Sequence, residues 1–83
     1  MAQKRSKDEI VAKILSLCQG DGLIKTQVVY QANLNFRTVN RPLNSLLEKG
    51  LLEATQGERV IYRTTQAGER AMETLQEARA IYS

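Results

Sequence analysis

Two short β-prone runs stand alone in a chain whose other patterning is helical. Residues 51–55 (LLEAT) and 60–64 (VIYRT) are separated by Gln56, Gly57, Glu58 and Arg59, a hairpin-sized connection containing a glycine. A lone two-stranded hairpin is marginal in water, so these strands need helices to pack on. With 83 residues there is material for one core only, since halving the chain would leave neither part able to bury enough surface. The expected class is therefore mainly α with a small β-hairpin, folded as a single domain over 1–83.

The helices are legible from spacing and punctuation. Ser6 followed three residues later by Glu9 fits a capping box, and Ile10, Val11, Ile14, Leu15, Leu17 and Cys18 follow at helical intervals, predicting a first helix over 7–19. Gly20 and Gly22 end it. Residues 23–25 suit a very short strand. Thr26 is the expected N-cap of a second helix ending near Asn33, with Val28, Val29 and Ala32 on one side. Asn35 can cap a third helix, read over 36–50, in which Phe36, Val39, Leu43, Leu46 and Leu47 share a face and Gly50 is the stop. Pro42 lies inside that segment and should kink the helix or shorten it from its front. A last helix starts at Thr65, with Ala67, Ala71, Met72, Leu75, Ala78 and Tyr82 as its apolar stripe.

Helix, short strand, helix, turn, helix, hairpin, helix is the order of a winged helix-turn-helix. Thr26 to Lys49 form the helix-turn-helix unit, and its second helix is the one such units place in a DNA major groove. The hairpin is the wing, with Arg59 at its tip. Charge agrees with this placement. Residues 1–49 carry eight bases against four acids, residues 50–83 carry four against five, and no acid lies between Gly22 and Leu47. A polyanion would prefer that stretch.

The candidate DNA contacts are Lys25, Thr26, Arg37, Thr38, Arg41, Asn44, Ser45, Arg59 and Arg63. Arg suits guanine edges and phosphates, Asn suits adenine, and Ser or Thr can bond either. Each also has a plainer role. The polar face of the third helix can simply be solvated, Arg59 can stand exposed at a loop tip, Arg63 can be held by strand neighbours, Thr26 can act as a cap, and Tyr30 can pack. Lys4, Arg5 and Lys7 form either a basic arm or a frayed end, and residues 1–5 are read as a flexible basic N-terminus ahead of the winged helix over 6–64.

Catalysis finds little to work with. The chain has no His and one Cys, which excludes histidine-based metal sites, Ser-His-Asp triads, an internal disulfide and a paired-cysteine zinc site. Cys18 falls on the apolar side of the first helix and reads as a core residue. No enzyme activity, cofactor, metal or small-molecule ligand is expected. A lone free thiol is compatible with a cytoplasmic, nucleoid-associated location. The apolar runs are far too short to span a membrane, and the basic start lacks the apolar stretch of a secretory signal.

The stretch KTQVVYQANLNFRTVNRPLNSLLEKGLLE followed by VIYRTTQAGERAME resembles a family of small archaeal winged-helix DNA-binding proteins that includes the 10a-type chromatin proteins. The most telling pieces are Lys25-Thr26, Tyr30 to Leu34, Leu46 to Leu51, and Tyr62 followed by Thr65-Gln66-Ala67-Gly68. The resemblance implies that the last helix, 65–83, pairs with its copy in an antiparallel coiled coil. Ala71, Leu75, Ala78 and Tyr82, with Gly68 before them, recur at three or four residues, as a coiled-coil seam requires. The leading expectation is a double-stranded DNA-binding protein that acts as a homodimeric transcriptional regulator. The alternatives are a winged-helix module for protein contacts and a non-specific chromatin architect, the latter disfavoured by a net charge of only +3.

Overall fold

The computed structural model describes residues 7–82, with the side chains of 8 and 75–82 outside that description. The order is α1 (Lys7–Leu17), β1 (Leu23–Ile24), α2 (Lys25–Gln31), α3 (Asn40–Glu48), β2 (Leu52–Thr55), β3 (Ile61–Thr64) and α4 (Gln66–Tyr82). This is a winged helix. Its sheet has three strands rather than two, in the order β1-β3-β2, all antiparallel. Leu23 pairs with Tyr62 and Ile24 with Ile61, so β1 closes the open edge of the wing's second strand. The expected Ser6 cap of α1 lies outside the described residues.

The core is built from every helix and one strand. Ile14, Leu15 and Cys18 of α1 and the turn after it meet Val28 and Val29 of α2, Val39, Leu43 and Leu46 from α3 and its entry, Leu52 of β2 and Met72 of α4. Burying an aliphatic side chain of this size contributes about 1.5–3 kcal/mol, so α3 is held chiefly by Leu43 and Leu46 rather than by its own short ladder. Tyr62 and Leu23 pack on the same cluster from the sheet. The wing therefore has the helical support that its length demands.

Both helices of the helix-turn-helix close the same way. After α2, Asn33 takes φ +56°, its N–H donates to the Tyr30 carbonyl (3.3 Å), and the Leu34 N–H donates to the Val29 carbonyl (2.9 Å). After α3, Gly50 takes φ +74°, its N–H donates to the Leu47 carbonyl (3.1 Å), and the Leu51 N–H donates to the Leu46 carbonyl (2.9 Å). These paired bonds satisfy carbonyls that a helix end leaves open, and each puts a leucine against the core just beyond the helix.

Two sequence expectations fail in the helix-turn-helix. Thr26 is not the N-cap of α2. The cap is Ile24, whose N–H donates to Gln27 Oε1 (3.2 Å), because β1 pairing holds the chain extended up to Ile24 and leaves no spare residue before the helix. Phe36 is not in the core but 49% exposed. The ladder of α3 starts only at Asn40, since Pro42 has no N–H to offer the carbonyl four residues back. Residues 36–39 form a separate turn, in which Asn35 Oδ1 accepts the N–H groups of Arg37 and Thr38 (both 2.9 Å). Asn35 does cap, but it caps that turn.

The start of α4 is seated on backbone. The Thr64 N–H donates to the Cys18 carbonyl (3.0 Å) and its hydroxyl to the Leu15 carbonyl (2.6 Å). The Thr65 hydroxyl donates to the Gly50 carbonyl (2.6 Å) and accepts the Gly68 N–H (3.1 Å), making Thr65 the N-cap of α4. Gly68 is buried, and a Cβ there would lie 2.1 Å from the Leu51 carbonyl oxygen. Its place in the small-residue series thus has an intrachain cause, which corrects its reading as part of a seam between chains.

Candidate nucleic-acid interface

One side of α3 is fixed by the core, and that determines what the other side presents. Val39, Leu43 and Leu46 are buried, so Asn40, Arg41 and Asn44 stand exposed, with Ser45 half-buried at the margin. A helix turns about 100° per residue, which puts Glu48 near Arg41 and Asn44 around the axis, at the far end of this face. The basic character therefore belongs to the first half of α3 and the turn before it, where Arg37 and Thr38 are also exposed. Thr38 Oγ1 lies 3.1 Å from Asn35 Oδ1, so its proton is already engaged and its remaining capacity is as an acceptor.

The start of α2 joins this surface directly. Lys25 Nζ donates to Asn40 Oδ1 at 2.5 Å, tying the first residue of α2 to the first residue of α3. Lys25 keeps two further donors beyond that bond. Sequence reasoning did not single out Asn40, whose role depends on the spatial approach of two helix starts 15 residues apart. Tyr30 is 75% exposed on α2, against the expectation that it packs. Its phenol is an exposed amphipathic donor near the end of α2.

The wing divides the remaining candidates. Lys25, Thr26 and Arg59, with Ile24, Val60 and Tyr62, line one open trough of about 460 Å³ between the start of α2 and the loop end of the wing. Arg63 is elsewhere. Along β3 the exposed positions are Ile61 and Arg63, while Tyr62 and Thr64 turn inward. The stem of Arg63 runs beside Gly22, where its Cγ lies 2.5 Å from the place a Cβ would occupy, and Glu53 is its cross-strand partner in register. Arg63 is thereby separated from the trough.

Of the dimerisation candidates, Ala71 is half-buried, and the side chains of Leu75, Ala78 and Tyr82 lie outside the described residues. Cys18 is fully buried in the core, and burial pushes its thiol up to about 11, which suppresses the reactive thiolate. Among the described residues, no group of three or more His, Cys, Asp or Glu comes together, and no helix is long and apolar enough to cross a membrane.

Comparison with known proteins places these features. The chain is similar to Sso10a-2, a DNA-binding protein from Sulfolobus solfataricus, with a TM-score of 0.85 and 28% identity over 94% of this chain and 82% of that one. It is also similar to the PcaV transcriptional regulator of Streptomyces coelicolor, solved in complex with its natural ligand, with a TM-score of 0.75 and 25% identity over 93% of this chain and 56% of that one. Two uncharacterized proteins of Methanocaldococcus jannaschii are 34% and 27% identical over 80 and 74 residues. These alignments take in 95% and 89% of this chain. The chain spans 36% of the length of the first relative and 73% of the second. The sequence profile of the winged helix-turn-helix family matches residues 4–83, from ahead of α1 through the whole of α4. On that match, and on the helix pair, wing and three-stranded sheet described above, the chain belongs to the winged helix-turn-helix family.

Proposed function

We propose that this protein binds double-stranded DNA as a homodimer and regulates transcription. The observation that carries the reading is the first half of α3, where Arg41 and Asn44 stand exposed over a buried Val39, Leu43 and Leu46 backing. A rigid helix with two base-reading side chain types at its N-terminal end suits a major groove, in which recognition helices use their N-terminal residues. Arg37, Thr38 and Ser45 flank this contact, and the wing reaches the adjacent minor groove or backbone through Arg59. Glu48 on the same face repels phosphate and favours an approach by the other end of the helix. Sso10a-2 is a DNA-binding protein and PcaV a transcriptional regulator, and their likeness to this chain supports the same use of the fold.

The dimer rests on α4. At 1.5 Å per residue its 17 residues extend about 26 Å, while α1, the helix it packs on, has 11 residues and extends about 17 Å. α1 is too short by about 9 Å to cover α4, and Ala71, Leu75, Ala78 and Tyr82 recur along α4 at the spacing of a seam with a second copy. An antiparallel pair would present two α3 helices to successive major grooves about 34 Å apart. Titration of a random-sequence duplex library at two salt concentrations tests the reading. Salt-dependent binding that enriches a two-half-site sequence supports it. Salt-dependent binding without enrichment would make the protein a non-specific architect, and absence of binding would leave a module for protein contacts.

A further inference from the structure

Three candidate DNA contacts from two segments distant in sequence, Lys25 and Thr26 at the start of α2 and Arg59 before β3, line one trough, and its other lining residues are Ile24, Val60 and Tyr62. No acidic residue is among the lining groups, so the trough carries two cations and a hydroxyl with no counter-charge of its own. Lys25 is not a free tether here. Its ammonium donates to Asn40 Oδ1 at the start of α3, which ties this lining residue to the recognition helix. Arg59 lines the trough from the loop between β2 and β3.

We infer that this trough seats one backbone phosphate of the DNA, held jointly by Lys25 and Arg59 with the Thr26 hydroxyl as a further donor. The inference rests on the DNA-binding reading above and adds that the helix-turn-helix and the wing grip the same phosphate rather than separate ones. The chemistry of the lining supports it. A phosphate is an oxygen-rich anion that guanidinium and ammonium groups bond from two sides. The deoxyribose on either side of it is largely apolar and matches the Ile24, Val60 and Tyr62 surface. The Lys25–Asn40 bond then sets the register of α3 from the position of one phosphate, in the way phosphate contacts position base readers.

A shared phosphate has a distinctive salt signature. One phosphate releases about one condensed counterion, about 0.9 in the slope of log K against log salt, however many cations surround it. The experiment compares the unmodified chain with Lys25→Gln, Arg59→Gln and the double variant, by fluorescence anisotropy on a fixed duplex from low to fourfold higher salt. Circular dichroism confirms that each variant is folded. The double variant is expected to lose about 0.9 in slope in total, so its affinity deficit shrinks by about 3.5-fold over the fourfold salt range. Each single variant loses less than that. A loss of about 1.8 in the double variant, a roughly 12-fold change over the same range, would assign Lys25 and Arg59 to separate phosphates and overturn the inference. Unchanged slopes in all variants would also overturn it. If the unmodified chain shows no salt-dependent DNA binding, the DNA reading itself fails. A rise in melting temperature with inorganic phosphate alone at matched ionic strength, absent from the double variant, together with DNA salt slopes that the substitutions leave unchanged, would assign the trough to a free anion and overturn the strand assignment.

Discussion

Gly68→Ala is expected to destabilise the fold although it replaces a glycine inside a helix. In an exposed helix interior the same change would stabilise by about 1 kcal/mol, because Ala is the better helix former. Here the added Cβ lies 2.1 Å from the Leu51 carbonyl oxygen and 2.8 Å from Thr64 Cγ2. The carbonyl cannot simply rotate away, since it accepts the Thr65 N–H at 3.0 Å and belongs to the chain leaving α3. Either α4 lifts off that carbonyl or the Thr65 cap is lost. Overpacking of this kind costs about 1–3 kcal/mol beyond the propensity gain. For a domain of this size that lowers the melting temperature by roughly 5–20 °C. Thermal and urea unfolding followed by circular dichroism provide the measurement, with Gly57→Ala as control. The nearest atom to a Cβ at Gly57 is 3.8 Å away, so that variant should stay within about 0.5 kcal/mol of the parent. A Gly68→Ala protein as stable as the parent, or more stable, would refute the close seating of α4 on Leu51.

The remaining expectations concern the DNA face, the dimer and the core. Arg41→Ala should weaken DNA binding by about 1–3 kcal/mol and relax discrimination at one base position, and unchanged affinity in a folded variant would remove Arg41 from the contact. Leu75→Glu should convert the dimer to monomers in sedimentation equilibrium and weaken DNA binding sharply. A monomeric unmodified chain at tens of micromolar would contradict the role of α4. Burial raises the Cys18 thiol from 9.0 to about 11. The folded state thus binds this proton more tightly than the unfolded state. The contribution is intact below pH 9 and is lost as pH rises through 11, by about 3 kcal/mol when complete. Urea unfolding across that range should show a steeper decline for the parent than for Cys18→Ala, and parallel curves would contradict it.

What was legible in the sequence is what short-range chemistry decides. Asn33 and Gly50 stop their helices because the left-handed backbone is needed there, and the runs around Val28, Val39 and Leu43 are buried as their spacing indicated. Most failures come from contacts between distant segments, and one from a proline. A two-residue β1 has no periodicity to read, yet its pairing with β3 moved the start of α2 ahead of Thr26. Phe36 fitted the apolar spacing of α3, but the spacing holds only inside a helix, and Pro42 ended the ladder before reaching it. Gly68 belongs to a small-residue series that looks the same whether the close neighbour is another chain or Leu51 of its own. The candidate contacts were named individually. Their grouping, with Lys25, Thr26 and Arg59 around one trough and Arg63 apart, depends on how the wing folds back toward α2.

The account centres on the start of α3 and the wing meeting DNA, and amide chemical-shift mapping tests that most directly. A ¹⁵N-labelled sample is titrated with a duplex selected from the random library. The account predicts the largest shifts at Arg37, Thr38, Arg41, Asn44 and Ser45 of the helix-turn-helix and at Lys25, Thr26 and Arg59 around the trough, with little change at Glu53 and Arg63. Shifts concentrated on Glu53, Arg63 and the exposed side of α4, with Arg41 and Asn44 unmoved, would contradict it.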